Sequence, residues 1–305
     1  MPEQNRFYSK ILLFGEYALI LGSQALSIPY GDLYGYFSSG PAGEGNQILD
    51  SNAHLKKYAA FLQQQPQLKQ LLDLALFEKD IEDGLIFKSN IPLGYGLGSS
   101  GALVAAVYHR YAIEKIPSQN LVALKQVLAA MESWFHGKSS GLDPLICYLN
   151  RAVLLEGNER LKTVVLPSVQ NGAGGTLFLL DTGTVGETRP LVNYFMQQSQ
   201  RTAFLEKIKN RLIPLNGECI RAYLRGDAGS LSGCMKSLSV FTLEYFHPMI
   251  PEKLLSVWQK GLADEHFFLK LCGSGGGGMM LGFTRNFEKT KEIIKPFSVK
   301  IFQQL

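Results

Sequence analysis

The segment Pro92-Leu93-Gly94-Tyr95-Gly96-Leu97-Gly98-Ser99-Ser100-Gly101 joins four glycines to two adjacent hydroxyls and runs directly into the helix-forming ALVAAVYHRYA. Glycines let a backbone approach a ligand closely, and the free amides of a helix N-terminus direct partial positive charge at an anion. The hydroxyls of Ser99 and Ser100 add donors to a phosphate and an oxygen suited to a hard cation such as Mg2+. The same residues also suit a plain loop in which Ser99 or Ser100 caps the helix. Gly96 to Gly101 spells G-x-G-x-x-G, but a dinucleotide site needs a strand leading into the glycines and a parallel strand after the helix. Here Pro92 intervenes, and another helix follows. No Gly-Lys-Ser/Thr ends the loop as in a P-loop, and neither serine occupies G-x-S-x-G.

Four charged positions and a second glycine run bear on the same chemistry. Glu132 flanks the apolar face made by Leu128, Met131 and Phe135; a buried carboxylate there needs a partner, either a salt bridge or a metal. Asp143 lies in HGKSSGLDP (136–144), which reads as a glycine-hinged loop or a simple Asp-Pro turn. Lys10 at a strand start and Glu16 in the next turn read, taken singly, as solvated charges. GSGGGG (273–278) stands between two apolar strand-like segments, where close approach of the backbone to a ligand explains it better than a flexible linker.

These residues need elements to position them. KILLFGEYALIL reads as a strand, a turn at Gly15 and a second strand entering ALSIPY; residues 52–80 read as helix interrupted at Pro66. GLIFKSNI is strand-like, and helices are expected to about Tyr111 and over about 119–135. AVLLEG and KTVVLP look like strands. After QNGAGG (170–175), TLFLLDTG opens a second half with helices near 190–212, 216–240 and 250–262, a strand–glycine–strand unit, and a final helix and strand. Strands and helices mix without regular alternation, which points to α+β architecture.

The 305 residues suit two domains, expected at 1–170 and 171–305. Hydrophobic residues at 46% and charged residues at 18% allow a substantial core and argue against disorder. A net charge of +4 without a dense basic block argues against nucleic acid as the main partner. The scattered Cys147, Cys219, Cys234 and Cys272 support neither a zinc ribbon nor a disulfide scaffold. The apolar run after Lys10 breaks at Gly15-Glu16, unlike a signal core, and no apolar run is long enough to span a bilayer. The expectation is a cytoplasmic protein with no membrane partner.

Three ordered motifs resemble those of the GHMP kinase family: KILLFGEYALILGSQAL, then IPLGYGLGSSGAL, matching P-x-G-x-G-L-G-S-S-[AG], then KLCGSGGGGMML. ESWFHGKSSGLDP is similar to the mevalonate kinase form of the acidic segment, E-x-x-x-H-G-x-P-S-G-x-D, with Ser139 in the proline position. The resemblance implies a ribosomal protein S5 domain 2-like N-terminal domain and a ferredoxin-like C-terminal domain, with ATP and acceptor meeting in the cleft between them. It implies that Gly94, Gly96, Gly98, Ser99, Ser100 and Gly101 wrap the ATP phosphates. Ser100 and Glu132 would hold Mg2+, Asp143 would take the acceptor hydroxyl proton, and Lys10 would steady the developing charge. Glu16, Tyr17, Thr188, Gly273 and Ser274 would face the acceptor, a small acid. The acidic segment points to mevalonate, giving 5-phosphomevalonate, in a monomer or homodimer. Tyr17 departs from the histidine of many mevalonate kinases and matches the GEY spelling commoner in phosphomevalonate kinases, which keeps phosphomevalonate open. A catalytically silent ligand-binding member would be expected to lose the acidic residues, and this chain keeps them.

Overall fold

A computed structural model of the chain describes residues 5–39, 46–157, 160–168 and 174–305. Strand β1 (Phe7–Phe14) leads through a 3-10 turn, Ala18–Leu21, into β2 (Ala25–Ser39). Helices α1 (Asn46–Gln63), α2 (Pro66–Lys69) and α3 (Leu74–Glu82) follow, then β3 (Leu85–Ser89). The first glycine segment enters α4 (Ser99–Tyr111), followed by α5 (Leu121–His136) and α6 (Leu142–Leu149). Next come β4 (Val153–Glu156), β5 (Arg160–Thr163) and β6 (Thr176–Asp181). Helices α7 (Thr188–Gln198), α8 (Thr202–Lys207), α9 (Ile213–Leu224), α10 (Ala228–Tyr245) and α11 (Glu252–Ala263) precede the last elements. Those are β7 (Phe267–Leu271), β8 (Met279–Thr284), α12 (Phe287–Ile293) and β9 (Ser298–Gln304).

Two compact units are interleaved in sequence: Met1–Lys10, Ser27–Pro92 and Leu97–Arg151 form one, and Ile11–Leu26, Leu93–Gly96 and Ala152–Leu305 the other. The boundary expected at 170/171 lies outside the described residues. In the first unit α4 is buried along most of its length, Gly101 to Tyr108, and packs on α3, α5 and α6. Its apolar residues point in all directions, as expected of a helix enclosed by neighbours. In the second, an antiparallel sheet has strand order β7-β8-β6-β9. With helices between β6 and β7 and between β8 and β9, this is the ferredoxin-like arrangement. The other sheet runs β1-β2-β4-β5, with β3 on β2.

Several expected elements differ for local reasons. No strand forms over Tyr17–Leu21, because Tyr17 takes φ +58°, outside the range of extended chain. Pro66 ends the hydrogen bonding of α1 and becomes the first residue of α2, where its missing N–H costs nothing. The strand expected over 162–167 forms instead at Arg160–Thr163; Val165 is 91% exposed and joins no core. The single helix expected over 216–240 splits at Gly226, with φ +67°. Asp227 then caps α10 by accepting from the Ser230 amide. Ahead of α9, Ile208–Leu212 is one π-helical turn, next to Pro214. Among the described residues, no helix is long and apolar enough to cross a membrane.

Candidate active site

The chemistry-bearing residues of the first unit converge around Lys10. It sits within β1, not at its start, and is buried. Its Nζ lies 2.8 Å from Asp143 Oδ2, with the lysine side chain 6% exposed and the aspartate 37%. The reading of Lys10 as a solvated charge is therefore corrected. Asp143 belongs to the first turn of α6, not to a loop or free turn. A helix can start there because Pro144 falls among the first-turn positions that have no intrahelical N–H bond to lose. A carboxylate at that end is also favoured by the helix dipole.

The glycine segment is seated on the same lysine. The Lys10 amide donates to Leu97 O at 3.0 Å. Gly98, at φ +79°, is the cap residue of α4, and no side chain caps this helix, so neither Ser99 nor Ser100 plays that part. The first intrahelical bond runs from Ala102 N to Gly98 O, so the amides of Ser99, Ser100 and Gly101 lie in the orphan first turn. A Cβ on Gly98 would stand 2.9 Å from Lys10 Cγ, and one on Gly101 3.0 Å from the Asp143 carbonyl carbon. The two glycines thus let α4 press against Lys10 and the start of α6. Gly98→Ala forces a left-handed Ala and is expected to cost about 1–2 kcal/mol. Turnover should fall further than that loss explains, because Lys10 is pushed aside. Urea unfolding and steady-state rates on the same variant check this; wild-type values for both would contradict it.

Glu132 faces this group from α5 and is 4% exposed. Ser100 Oγ donates to its Oε1 at 2.9 Å, and Ser139 Oγ donates to Oε2. With the Ser100 proton directed at Glu132, His136 Nε2, 3.2 Å away, supplies the hydrogen of its own contact with Ser100. Burial first, then the Asp143 charge, pushes the Glu132 carboxyl up to about 7; the two serines and Lys10 act in the opposite direction. This buried, electron-rich carboxylate beside a hydroxyl is a donor set that fits a hard cation. Among the described residues no three His, Cys, Asp or Glu side chains gather as a metal cage. A magnesium ion sharing its shell with phosphate oxygens needs none.

The raised Glu132 value has a definite sign. The folded protein holds this proton between about pH 4.5, the ordinary value, and about 7, whereas the unfolded chain has released it. Stability from this group is therefore complete below that window and lost as pH rises through it. Urea unfolding of ligand-free protein should show the wild type losing stability relative to Glu132→Gln across the window. Parallel pH curves for the two would contradict the assignment.

In the second unit the glycine run of residues 273–278 joins β7 to β8. Much of its close packing is with the protein's own backbone. A Cβ on Gly278 would lie 2.8 Å from Tyr95 O, and one on Gly277 2.6 Å from Thr184 O. Gly278 N donates to Thr184 O at 2.7 Å, and Gly186 N to Gly94 O at 3.4 Å. Gly94 and Gly96 thus belong to this unit, while Gly98 to Gly101 belong to the other. Gly273, by contrast, has open space at its Cβ position.

Glu16, Tyr17, Thr188, Gly273 and Ser274 form one group here. Thr188 Oγ1 is 3.0 Å from Ser274 Oγ, and Tyr17 OH donates to Ser274 O at 2.6 Å. The Tyr17 ring is buried against Phe195 and Phe246. Glu16 is not solvated, as expected from sequence, but paired: Lys270 Nζ donates to its Oε1 at 2.5 Å and to Leu271 O at 2.5 Å. Burial raises the Glu16 carboxyl above its ordinary value; the Lys270 charge and hydrogen bond and the Gly273 amide act against it.

Sequence reasoning missed Lys270, Ser139 and His136 as members of these groups. A lysine inside the apolar run FFLKLC was the available signal for Lys270, since an unpaired charge is not tolerated there. His136 and Ser139 lay within the quoted acidic segment without a role of their own.

Residues 54–151 match the family profile for the GHMP kinases N terminal domain. A mevalonate kinase of Archaeoglobus fulgidus is 23% identical over 297 residues, covering 92% of each chain. The crystal structure of L. major mevalonate kinase in complex with R-mevalonate superposes with a TM-score of 0.68 at 16% identity, over 100% of this chain and 97% of that one. Streptococcus pneumoniae phosphomevalonate kinase, in complex with phosphomevalonate and AMPPNP, gives 0.61 at 14% identity, over 97% and 99%. The fold is common to both structures, so the chain has the GHMP kinase fold, with the N-terminal domain match confined to residues 54–151.

Proposed function

We propose that this protein is an ATP-dependent kinase that phosphorylates the hydroxyl of a small acid, with mevalonate as the acceptor and 5-phosphomevalonate as the product. The observation that carries the reading is the Lys10–Asp143 pair at 2.8 Å, beside the Ser100–Glu132 contact. Phosphoryl transfer asks a protein for positioning and charge neutralisation more than for covalent chemistry. Asp143, the more exposed member of its pair, accepts the acceptor hydroxyl proton while the oxygen bonds to the γ-phosphorus and the bridge to ADP breaks. Lys10, held in β1 and under Gly98, keeps the carboxylate in place and steadies charge as it develops. The first-turn amides of α4 hold the phosphates. Magnesium held by Ser100 and Glu132 would neutralise phosphate charge when bound. We assign nucleotide binding to residues 1–170 and acceptor contacts in 171–305 to Thr188, Gly273 and Ser274, with Glu16 and Tyr17 beside them.

Phosphomevalonate is the second reading, favoured by Tyr17. That tyrosine already spends its hydroxyl on Ser274 O, which leaves it an organiser of the Ser274 turn more than a free donor. ADP release measured with mevalonate, phosphomevalonate, diphosphomevalonate, homoserine and galactose tests the choice. Turnover is expected on mevalonate. Turnover on phosphomevalonate alone would overturn the acceptor assignment, and none on any would overturn the kinase reading.

A further inference from the structure

Ser139 stands where the motif that its segment resembles has proline, and its hydroxyl is engaged twice. It donates to Glu132 Oε2 and accepts from Gly141 N at 2.9 Å. A serine hydroxyl carries one proton and two acceptor lone pairs, so a single group serves both bonds at once. A proline side chain can make neither. Gly141 is the cap residue of α6, at φ +72°, and Asp143 follows in the first turn. Gly141 is also seated against α5, where a Cβ would collide with Lys125 O and lie 2.8 Å from Ala129 Cβ. Ser139 thus ties the Glu132 carboxylate to the helix start that carries Asp143. Ser140 braces the same helix start through a different bond, its hydroxyl accepting from Leu142 N at 3.3 Å.

We propose that Ser139 is a positioning residue, which orients Glu132 toward a divalent cation and keeps that carboxylate in register with Asp143. The proposal rests on the kinase reading above, in which Ser100 and Glu132 hold magnesium. Ser100 Oγ meets Glu132 Oε1 at 2.9 Å and Ser139 Oγ meets Oε2, so each carboxylate oxygen is held by one hydroxyl. An ionised carboxylate has about four acceptor directions. Two hydroxyl bonds therefore fix its plane and leave lone pairs for the cation. Ser139 acts through Glu132 and not on the reacting atoms. Without it Oε2 is buried beside no donor from the α5–α6 loop, and the carboxylate is free to turn about the bond that Ser100 still holds. Hydrogen bonds that orient a metal ligand govern metal affinity by about ten- to a hundredfold.

The test reads binding, not turnover. The full-length chain is titrated calorimetrically with AMPPNP, once in saturating Mg2+ and once in EDTA. Ser139→Ala is expected to lower the affinity in Mg2+ by about tenfold or more and to leave the affinity in EDTA unchanged. Ser140→Ala, which loses a bond at the same helix start, should match the wild type in both. The shape-matched pair Ser139→Thr and Ser139→Val separates the hydroxyl from bulk, and decides the matter even if Ser139→Ala fails to fold by circular dichroism. Threonine should keep the gain that Mg2+ gives, and valine should lose it. Equal gains for threonine and valine, equal losses with and without Mg2+, or a loss in Ser140→Ala as large as in Ser139→Ala would each overturn the proposal while leaving the kinase reading standing. A wild type that gains no affinity from Mg2+ would overturn the magnesium assignment and this proposal together.

Discussion

Asp143→Asn is expected to lower turnover by about two to four decades while leaving ATP binding nearly unchanged. The substitution preserves the shape of the side chain and the first turn of α6, so it removes chemistry more than structure. An amide cannot take the acceptor proton. It also leaves Lys10, with only 6% of its side chain exposed, without the charge it meets at 2.8 Å. The phosphate-facing elements, Ser99 to Gly101 and Glu132, do not include Asp143, which is why nucleotide affinity should survive. Steady-state rates and calorimetric titration with ATP measure the two quantities separately. Near-normal turnover would remove Asp143 from the mechanism; equal losses in both would make its role structural.

The second large effect concerns stability. Lys270→Met is expected to cost about 3–5 kcal/mol, because it leaves the Glu16 carboxylate in a buried site without its cation. The pair is closed to water, at 4% and 8% side-chain exposure. The lysine also lies 5.7 Å from the Phe14 ring centroid, so methionine retains the apolar packing but not the charge. A double variant, Glu16→Gln with Lys270→Met, should recover most of the loss, since no isolated charge then remains. Urea denaturation of the wild type, the single and the double variant gives the coupling directly. A double variant no more stable than the single one would show that the loss comes from packing.

The first glycine motif was legible because backbone geometry demands those residues. Gly98 must take a left-handed φ with Lys10 Cγ where a Cβ would be. Gly101 must admit the start of α6. Residues that satisfy such constraints leave a sequence signature, and Glu132 left one through its position on an amphipathic helix. Partners remote in sequence left none: nothing in the spelling of Glu16 announces Lys270, and the pair forms only because β7 runs beside the turn after β1. Asp143 was legible by type but not by structure, since Gly-Leu-Asp-Pro serves a turn and a helix start equally well. The interleaving of the units was also hidden. β1 and β2 each pass from one unit to the other within a continuous strand, and apolar periodicity carries no mark at such a crossing.

The central claim is that Asp143, Lys10 and the Ser100–Glu132 pair direct a phosphoryl group from ATP to an acceptor hydroxyl. Mass spectrometry of mevalonate after incubation with ATP carrying 18O in its γ-phosphoryl group tests it most directly. The predicted result is a phosphomonoester of mevalonate that carries the label with its carbon skeleton intact, formed by the wild type and nearly absent with Asp143→Asn. Labelled inorganic phosphate with unmodified mevalonate, or a product that has lost carbon dioxide, would contradict it.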